Sequence, residues 1–305
     1  MVRPGARAMK AAVELNFDVV TTPLRPAATV VLLRDTPLGL EVFLMKRHSR
    51  SDVLGGAYVF PGGKVDAVDA ELDMAFHLDQ PLALLHTGLN EAGIGERTAG
   101  GLYVAAIREV FEESGVLFAQ AAGGRAVDCA LVAALLRQGQ GFNAVLKLMA
   151  LRLQASCLVP WTRWITPTSP SVTNKRFDTR FFVSSVPAGQ LAVHDDIETT
   201  DSMWLSPHLA LVQYWAGQIE LAPPQIMSLV QLNRHASVHS VLAEARSRLP
   251  PLIQPEPFDD AGGRVICYPG DTRHSVRELA MPGPTRLYYR NRRFEPDGGF
   301  DKLFG

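Results

Sequence analysis

The sequence predicts an α/β or α+β sandwich, in which mixed strands and helices pack in layers. Short runs of branched apolar residues and amphipathic helical segments follow one another in the order strands, one helix, strands, helices. Apolar residues make up 47% of the 305 residues, which is enough for a substantial core. The 25 glycines and 21 prolines are spread along the chain, as in a globular protein with many loops.

The first elements are a pair of strands followed by a third. Residues 27–33, "AATVVLL", and 41–45, "EVFLM", are separated by "RDTPLG", a Pro- and Gly-containing turn. This arrangement predicts a β-hairpin. A further short strand, "AYVF", ends at "PGGK".

A helix is predicted over roughly residues 102–114. Leu102, Ala106, Val110 and Phe111 recur at helical spacing and can face a core. Gly115 supplies the C-terminal stop. The preceding stretch, residues 70–103, has some helical spacing but ends in Gly-rich sequence, so its structure is left open.

The second half of the chain is predicted to add helices, strands and helices again. Residues 127–156 have a helical pattern, and strands are predicted at "WTRWIT", "RFDTRFFVSSV" and "TTDSMWLS". Ser206-Pro207 opens a helix that runs to about Gln218, and residues 223–225, "PPQ", open a longer one to about Arg248. Beyond residue 250, "RVICYPG" and "TRLYYRNRRF" are strand-like.

The net charge and the cysteine content indicate which partners the protein can bind and which compartment suits it. The net charge of −1 gives no general attraction to nucleic acid, and the apolar runs are shorter than the roughly 18–20 residues of a membrane span. We therefore expect neither a nucleic-acid nor a membrane partner. Three scattered cysteines without a CxxC pair predict a reducing compartment and a cytoplasmic protein. The basic first 13 residues leave an organelle-targeting segment as the alternative to a plain N-terminal extension.

The stretch "AAIREVFEESGV", residues 105–116, gathers Glu109, Glu112 and Glu113 on one helix. Like charges three and four residues apart repel by roughly 0.2–0.5 kcal/mol per pair. Such a cluster suits a hard divalent cation, because Mg²⁺ prefers oxygen ligands. On these residues alone, a solvated acidic face is the alternative.

Together with "FPGGKVDAVD", residues 60–69, this segment resembles the Nudix hydrolases, whose box reads G-x5-E-x7-R-E-U-x-E-E-x-G-U, with U aliphatic. The second half, "REVFEESGV", matches at every defined position. The first half is displaced: Gly63 leads to Asp69 where the family has Glu, and about 31 extra residues precede Arg108. This split box, with "RFDTRFF" and "LAPPQ" further on, resembles a branch of the family that cleaves coenzyme A.

The resemblance implies a Nudix fold, a mixed β-sheet sandwiched between helices, with an insertion in the box and extra C-terminal helices. It divides the chain into an N-terminal extension over 1–26, a Nudix domain over 27–249 and a C-terminal extension of unknown role over 250–305. The insertion, residues 70–103, is expected to bulge from the loop before the catalytic helix as a lid or substrate wall.

The resemblance also implies metal-dependent hydrolysis of a nucleoside diphosphate linked to another moiety. Coenzyme A or acyl-coenzyme A is the first interpretation. An ADP-ribose or nucleotide-sugar diphosphatase, and a non-catalytic nucleotide-binding regulator, are the alternatives. One to three Mg²⁺ or Mn²⁺ ions would be held by the box residues Glu109, Glu112 and Glu113 and by the Gly63 carbonyl. Arg108 would orient the carboxylates.

The water-activating base is left between Glu109 and an acid of the loop "HDDIETTD", with Glu198 favoured. The other acids of that loop are Asp195, Asp196 and Asp201.

Substrate contacts are expected from basic residues before the box. Lys46, Arg47 and Arg50 could meet the phosphates, although Asp52 stands where coenzyme A-directed members carry a second Arg. Arg176 is a further candidate on a strand that lines the cleft. The partner is therefore a small nucleotide diphosphate, and a homodimer is left open. Three tryptophans could stack an adenine or lie in the core: Trp161, Trp164 and Trp204.

Overall fold

The computed structural model describes residues 15–49, 51, 54–121, 123, 125–195 and 198–304. Its helices are α1 Met74–His77, α2 Leu82–Leu89, α3 Glu96–Ser114, α4 Cys129–Arg137, α5 Phe142–Leu148, α6 Pro207–Trp215, α7 Pro223–Leu232 and α8 Val238–Ser247. Its strands are β1 Arg25–Thr36, β2 Gly39–Arg47, β3 Tyr58–Val59, β4 Gly62–Lys64, β5 Ala119–Gln120, β6 Arg152–Leu153, β7 Val159–Ile165, β8 Phe177–Ser185, β9 Thr199–Leu205, β10 Leu252–Ile253, β11 Glu256–Asp260, β12 Gly263–Cys267, β13 Arg286–Arg290 and β14 Arg293–Glu295.

A mixed sheet forms the centre of the molecule. Its strands lie in the order β10-β7-β8-β1-β2-β3, with β4 also paired to β1 and β9 to β2. The predicted hairpin of β1 and β2 is confirmed, and β1 also runs parallel to β8. On its other edge, residues 27–29 of β1 pair with β4, which carries the two glycines of "PGGK".

Each face of the sheet is covered by helices, as the sandwich prediction requires. Val31 and Leu33 of β1 face one core, to which α6, α7 and α8 contribute. Val30 and Leu32, the alternate residues, face a second core with α2, α3, α4 and α5. The alternation follows from the period-2 geometry of a strand. Among the helices of the described residues, none is long and apolar enough to cross a membrane.

Helix α3 is longer than the sequence predicted, because it begins at Glu96 inside the Gly-rich stretch. Gly100 allows close packing there: a Cβ on it would lie 2.5 Å from the sulfur of Met74. The helix ends as predicted at Gly115, whose φ of 71° is left-handed and whose N–H donates to Phe111 at 2.9 Å.

The expectation that residues 70–103 bulge as a lid is wrong. They form α1, α2 and the first turns of α3, and Leu72, Leu78 and Leu85 are buried in the core beneath the sheet. The insertion is also tied to β8, because buried Arg180 donates to Glu91 at 2.8 Å. The three buried leucines lie in the same core as α3, so the insertion is part of the scaffold of the fold.

Two predicted helices are each divided in the structure. Residues 127–156 contain α4 and α5 followed by β6, and the helix expected from 223 to about Arg248 is α7 and α8. The second break has a local cause, since the Ser237 hydroxyl accepts the N–H of Ser240 and begins α8.

The C-terminal residues continue the fold. Strands β11 to β14 form an antiparallel sheet, while β10 joins the central sheet beside β7. Ile266, Leu287 and Phe294 lie in the same core as α6 to α8. The division at residue 249 stays a prediction, although residues on both sides of it share one core.

Candidate active site

A cleft of about 430 Å³ opens where β1, β4 and the C-terminal half of α3 meet. Charged and polar side chains form much of its wall. The residues that carry these side chains are Arg25, Thr29, Arg47, Ser51, Lys64, Glu109, Glu113, Lys175, Thr179, Glu198 and Gln225. The polar lining, concave shape and convergent charges are typical of a catalytic or binding site.

Glu109 and Glu113 face the cleft from α3, one helical turn apart, and both lie against the two glycines of β4. Glu113 accepts the N–H of Gly62 at 2.7 Å. The Glu109 carboxylate lies so close to Gly63 that a Cβ there would be 2.3 Å from its Oε2. Gly62 has φ +152°, and a Cβ on it would clash with the carbonyl of Ala28 at 2.3 Å. Close backbone approach therefore explains both glycines of "PGGK".

Burial makes these two carboxylates costly to ionise. It raises the pKa of Glu109 to about 7, although the charge of Arg108 opposes the shift. Burial likewise raises the pKa of Glu113 to about 8, against the hydrogen bond from Gly62. The negative charges of Glu109 and Glu198 add to the rise at Glu113. Burial is therefore the main cause of both shifts.

Arg108 lies on the other flank of the helix and is itself buried. Its guanidinium donates to both oxygens of Asp69, at 2.8 and 2.9 Å, and to Glu109 at 2.8 Å. It also donates to the Lys64 carbonyl at 3.0 Å. Asp69, which replaces the family's Glu, holds Arg108 with two parallel hydrogen bonds.

Glu112 belongs to the Arg108 flank and is absent from the lining of the cleft. It accepts from Arg108 at 3.2 Å, and its side chain is 40% exposed. Its charge interacts with Arg108, Asp69 and Asp66, and it raises the pKa of Glu109. Glu112 thus lies outside the cleft lining but shares Arg108 with Glu109, and its role as a metal ligand stays a prediction.

Of the acids in the 194–201 loop, Glu198 lines the cleft. Asp195 instead accepts the backbone N–H groups of Glu198 and Thr199, both at 3.1 Å, and so shapes the loop. Asp201 accepts the hydroxyl of Tyr58 at 2.7 Å. Asp196 lies outside the described residues.

Only some of the predicted substrate contacts reach the cleft. Arg47 lines it and donates to the Ser51 hydroxyl at 3.1 Å. Lys46 does not line it, because adjacent residues of β2 point to opposite faces of the sheet. Arg176 does not line it either, and donates to the Thr166 carbonyl at 3.2 Å. Arg50 and Asp52 lie outside the described residues.

Sequence reasoning missed three basic residues in the cleft, Arg25, Lys64 and Lys175. Arg25 opens β1 and Lys175 precedes β8, and these parallel neighbours begin side by side, with Arg25 opposite Phe177. The sequence does show a basic residue at the start of each strand. This pattern indicates a shared site only once β1 and β8 are known to pair. Phe177 and Thr179 point into the cleft, which directs Asp178 away from it to Arg163 at 2.8 Å.

The tryptophans do not line this cleft. Trp161 and Trp164 are buried in the core on the α6–α8 side. Trp204 packs against Phe43 and beneath the Arg34 guanidinium, 4.3 Å from the ring centre. The core interpretation therefore holds for Trp161 and Trp164, and Trp204 lies on the sheet surface.

The donor chemistry of the cleft suits a hard divalent cation. Glu109, Glu113 and Glu198 offer carboxylate oxygens, and Gly63 lies beside them. In the described part of the chain, however, no three acidic, histidine or cysteine side chains are arranged to hold a metal ion. Mg²⁺ commonly takes one or two carboxylates and completes its shell with water and substrate oxygens. The residues fit such an ion without forming a closed site.

Comparison with known proteins agrees with this geometry. The model of the "NUDT19 Nudix domain" matches residues 99–232. A Caenorhabditis elegans protein named putative nudix hydrolase 7 is 26% identical over 272 residues, 88% of this chain and 80% of that protein. A Xenopus laevis protein named acyl-coenzyme A diphosphatase NUDT19 is 26% identical over 234 residues, 66% of this chain and 62% of that protein.

A solved structure shares the fold. The crystal structure of a NUDIX hydrolase from Alicyclobacillus acidocaldarius aligns with a TM-score of 0.61 and 26% identity. The alignment covers 76% of this chain and 99% of that one. With the box, its cleft and these relatives in agreement, the chain has the Nudix fold and resembles the Nudix hydrolases, and its residues 99–232 match the NUDT19 Nudix domain.

Proposed function

We propose that this Nudix hydrolase cleaves the diphosphate of coenzyme A or an acyl-coenzyme A with the help of a divalent cation. The observation that carries the proposal is the cleft itself. It joins the box carboxylates Glu109 and Glu113 to the basic residues Arg25, Arg47 and Lys175. The name of the Xenopus relative supports coenzyme A as the substrate class.

The carboxylates would hold Mg²⁺ or Mn²⁺. Glu109 and Glu113 are the expected ligands from the cleft, with the Gly63 carbonyl beside them. When bound, such an ion neutralises diphosphate charge and lowers the pKa of a bound water. It would also remove the cost of burying the charges of Glu109 and Glu113 side by side. Arg108 and Asp69 keep the helix flank fixed without entering the cleft.

The basic residues would bind the phosphates. Arg47 lines the cleft and donates to the Ser51 hydroxyl. Its positive charge lowers the pKa of Glu113, but burial raises that pKa by more. A guanidinium can donate two parallel hydrogen bonds to a phosphate. Arg25 and Lys175 contribute further positive charge from the starts of β1 and β8.

Glu198 is our candidate for the base that takes a proton from the attacking water. It lines the cleft, and two backbone N–H groups bonded to Asp195 fix its loop. Asp195 and Asp201 are engaged elsewhere, which leaves Glu198 as the acid of that loop for this task among the described residues.

The test is a substrate panel with Mg²⁺ or Mn²⁺: coenzyme A, octanoyl-coenzyme A, dephospho-coenzyme A and ADP-ribose, with products separated by chromatography. Glu113→Gln is assayed beside the wild type. Glu96→Gln, an exposed glutamate in the first turn of the same helix, is the matched control. We expect release of adenosine 3′,5′-bisphosphate by the wild type and the control, and none from Glu113→Gln.

The other outcomes separate the alternatives. Fast cleavage of ADP-ribose with slow cleavage of coenzyme A would assign the nucleotide-sugar activity instead. No turnover of any panel member would contradict the proposal and leave nucleotide binding as the function to examine.

A further inference from the structure

A second cavity, of about 200 Å³, lies next to the catalytic cleft. Its wall is mostly apolar, with Trp164, Val172, Phe181 and Ile266, and includes hydroxyl-bearing residues: Thr29, Thr166, Ser171, Thr173 and Thr179. Six prolines complete much of the surface: Pro167, Pro170, Pro223, Pro224, Pro255 and Pro257. Among the described residues, no acidic or basic side chain lines it. Such a wall favours an uncharged, largely apolar ligand.

The apolar cavity and the cleft share part of their wall. Five residues line both: Thr29, Leu54, Phe177, Thr179 and Gln225. A substrate whose diphosphate lies among the basic residues of the cleft can therefore extend its non-nucleotide part into the apolar cavity. The C-terminal residues contribute to this cavity, because Pro255, Pro257 of β11 and Ile266 of β12 form part of the wall.

Gln225 stands at the junction with an unused hydrogen-bonding group. The residue is 7% exposed and lines both cavities. Among the described residues, its buried Oε1 finds no hydrogen-bond partner. A buried polar atom left unpaired costs about 1–3 kcal/mol, so an orphan of this kind needs an explanation. A ligand that donates an N–H at the junction would provide one.

We infer that the apolar cavity binds the acylated pantetheine arm of the substrate, and that Gln225 Oε1 accepts a hydrogen bond from an amide N–H of that arm. The inference rests on the proposed function, because it takes the diphosphate to lie in the cleft. A pantetheine arm carries two amides and one hydroxyl on an aliphatic chain, which suits a largely apolar wall that also presents Gln225 and several hydroxyl-bearing residues.

Binding without a divalent cation tests this inference separately from hydrolysis. Octanoyl-coenzyme A and adenosine 3′,5′-bisphosphate, which lacks the arm, are titrated by calorimetry into protein in EDTA. Val172→Trp fills the apolar cavity, and Gln225→Leu removes the acceptor. Val276→Trp is the matched control, because Val276 is 49% exposed and lines neither cavity.

We expect Val172→Trp to weaken octanoyl-coenzyme A binding by about fivefold or more, and Gln225→Leu by about two- to tenfold. Binding of adenosine 3′,5′-bisphosphate and the control variant should be unchanged. Gln225→Leu should keep or raise the melting temperature, because it removes an unpaired buried oxygen. A lower melting temperature with unchanged ligand binding would assign Gln225 a structural role and overturn its role as a ligand acceptor.

Equal affinity of octanoyl-coenzyme A for wild type and Val172→Trp would overturn the cavity assignment, provided that both melt at similar temperatures. If Val172→Trp does not fold, a crystal of wild-type protein with octanoyl-coenzyme A decides: density for the arm outside the cavity would contradict the inference. Binding that depends on Val172 without any hydrolysis by the wild type would instead defeat the proposed activity while supporting the cavity.

Discussion

The two flanks of helix α3 carry the same kind of side chain and use it differently. On the cleft flank, Glu109 and Glu113 are largely buried beside Gly62 and Gly63 and have raised pKa values. On the Arg108 flank, Glu112 is 40% exposed and shares the Arg108 guanidinium with Glu109, and burial raises its pKa as well. Glu109 and Glu113 both line the cleft, whereas Glu112 is turned by about 100° from its neighbour Glu113. We therefore expect the glutamates to be divided between metal binding and support.

Among these variants, Arg108→Gln is expected to lower the stability of the protein most. Asp69, which is 1% exposed, would then be left without its guanidinium partner. Removing one member of a buried ion pair typically costs about 3–5 kcal/mol. We expect a loss of that order in the free energy of unfolding, measured by urea denaturation. Arg97→Gln, an exposed arginine on the same helix, should cost less than about 1 kcal/mol.

An equal, small loss for both arginine variants would mean that the Arg108–Asp69 pair contributes little, and the support assigned to this flank would be wrong.

The cleft flank is broken by Glu113→Gln. The amide oxygen can still accept the Gly62 N–H, so the fold should survive while a charged ligand is lost. Removing a residue that only supports a metal ligand typically lowers metal affinity or activity 10–100-fold. We therefore expect a fall in kcat/KM for octanoyl-coenzyme A of more than about 100-fold. A fall of less than about tenfold would place Glu113 outside the reaction.

The raised pKa values predict a dependence of stability on pH in the metal-free protein. Between the ordinary glutamate pKa and about 8, the folded state binds more protons at Glu113 than the unfolded state does. The free energy of unfolding should therefore fall as pH rises from 5 to 9 in EDTA. Glu113→Gln should flatten this slope, and Mg²⁺ should counter the fall. Thermal melts at each pH make the measurement; an unchanged slope in the variant would contradict the assignment.

The smallest effect is expected for Glu112→Gln. An exposed ion pair contributes about 0–1 kcal/mol, and Glu112 does not line the cleft. We expect kcat/KM to fall less than about tenfold, in assays run beside Glu113→Gln. A loss as large as that of Glu113→Gln would erase the distinction between the two flanks.

Much of the fold follows from local sequence. The β1–β2 hairpin, the helix carrying the box and its stop at Gly115 depend on short-range patterns, and each is present. The box also located Glu109, Glu113 and Gly63. The structure of residues 70–103 was left open by their sequence, and the lid expected from the insertion in the box was wrong. Gly100 instead permits close helix packing against Met74.

The parts that could not be predicted depend on tertiary pairing. Arg25 and Lys175 share the cleft because β1 and β8 run parallel, 150 residues apart in sequence. Gln225 was interpreted as a helix start, and it does lie in the first turn of α7, but its place between two cavities depends on the sheet. The orientation of Lys46 and Arg176 likewise depends on strand register, which sets the face of every side chain.

Binding of Mn²⁺, followed by electron paramagnetic resonance, tests the division of the glutamates most directly. Wild type, Glu113→Gln and Glu112→Gln are titrated under identical conditions without substrate. Tight binding that is weakened about tenfold or more in Glu113→Gln and nearly retained in Glu112→Gln would match the account. Equal weakening in both variants would show that all three glutamates act together, and would contradict it.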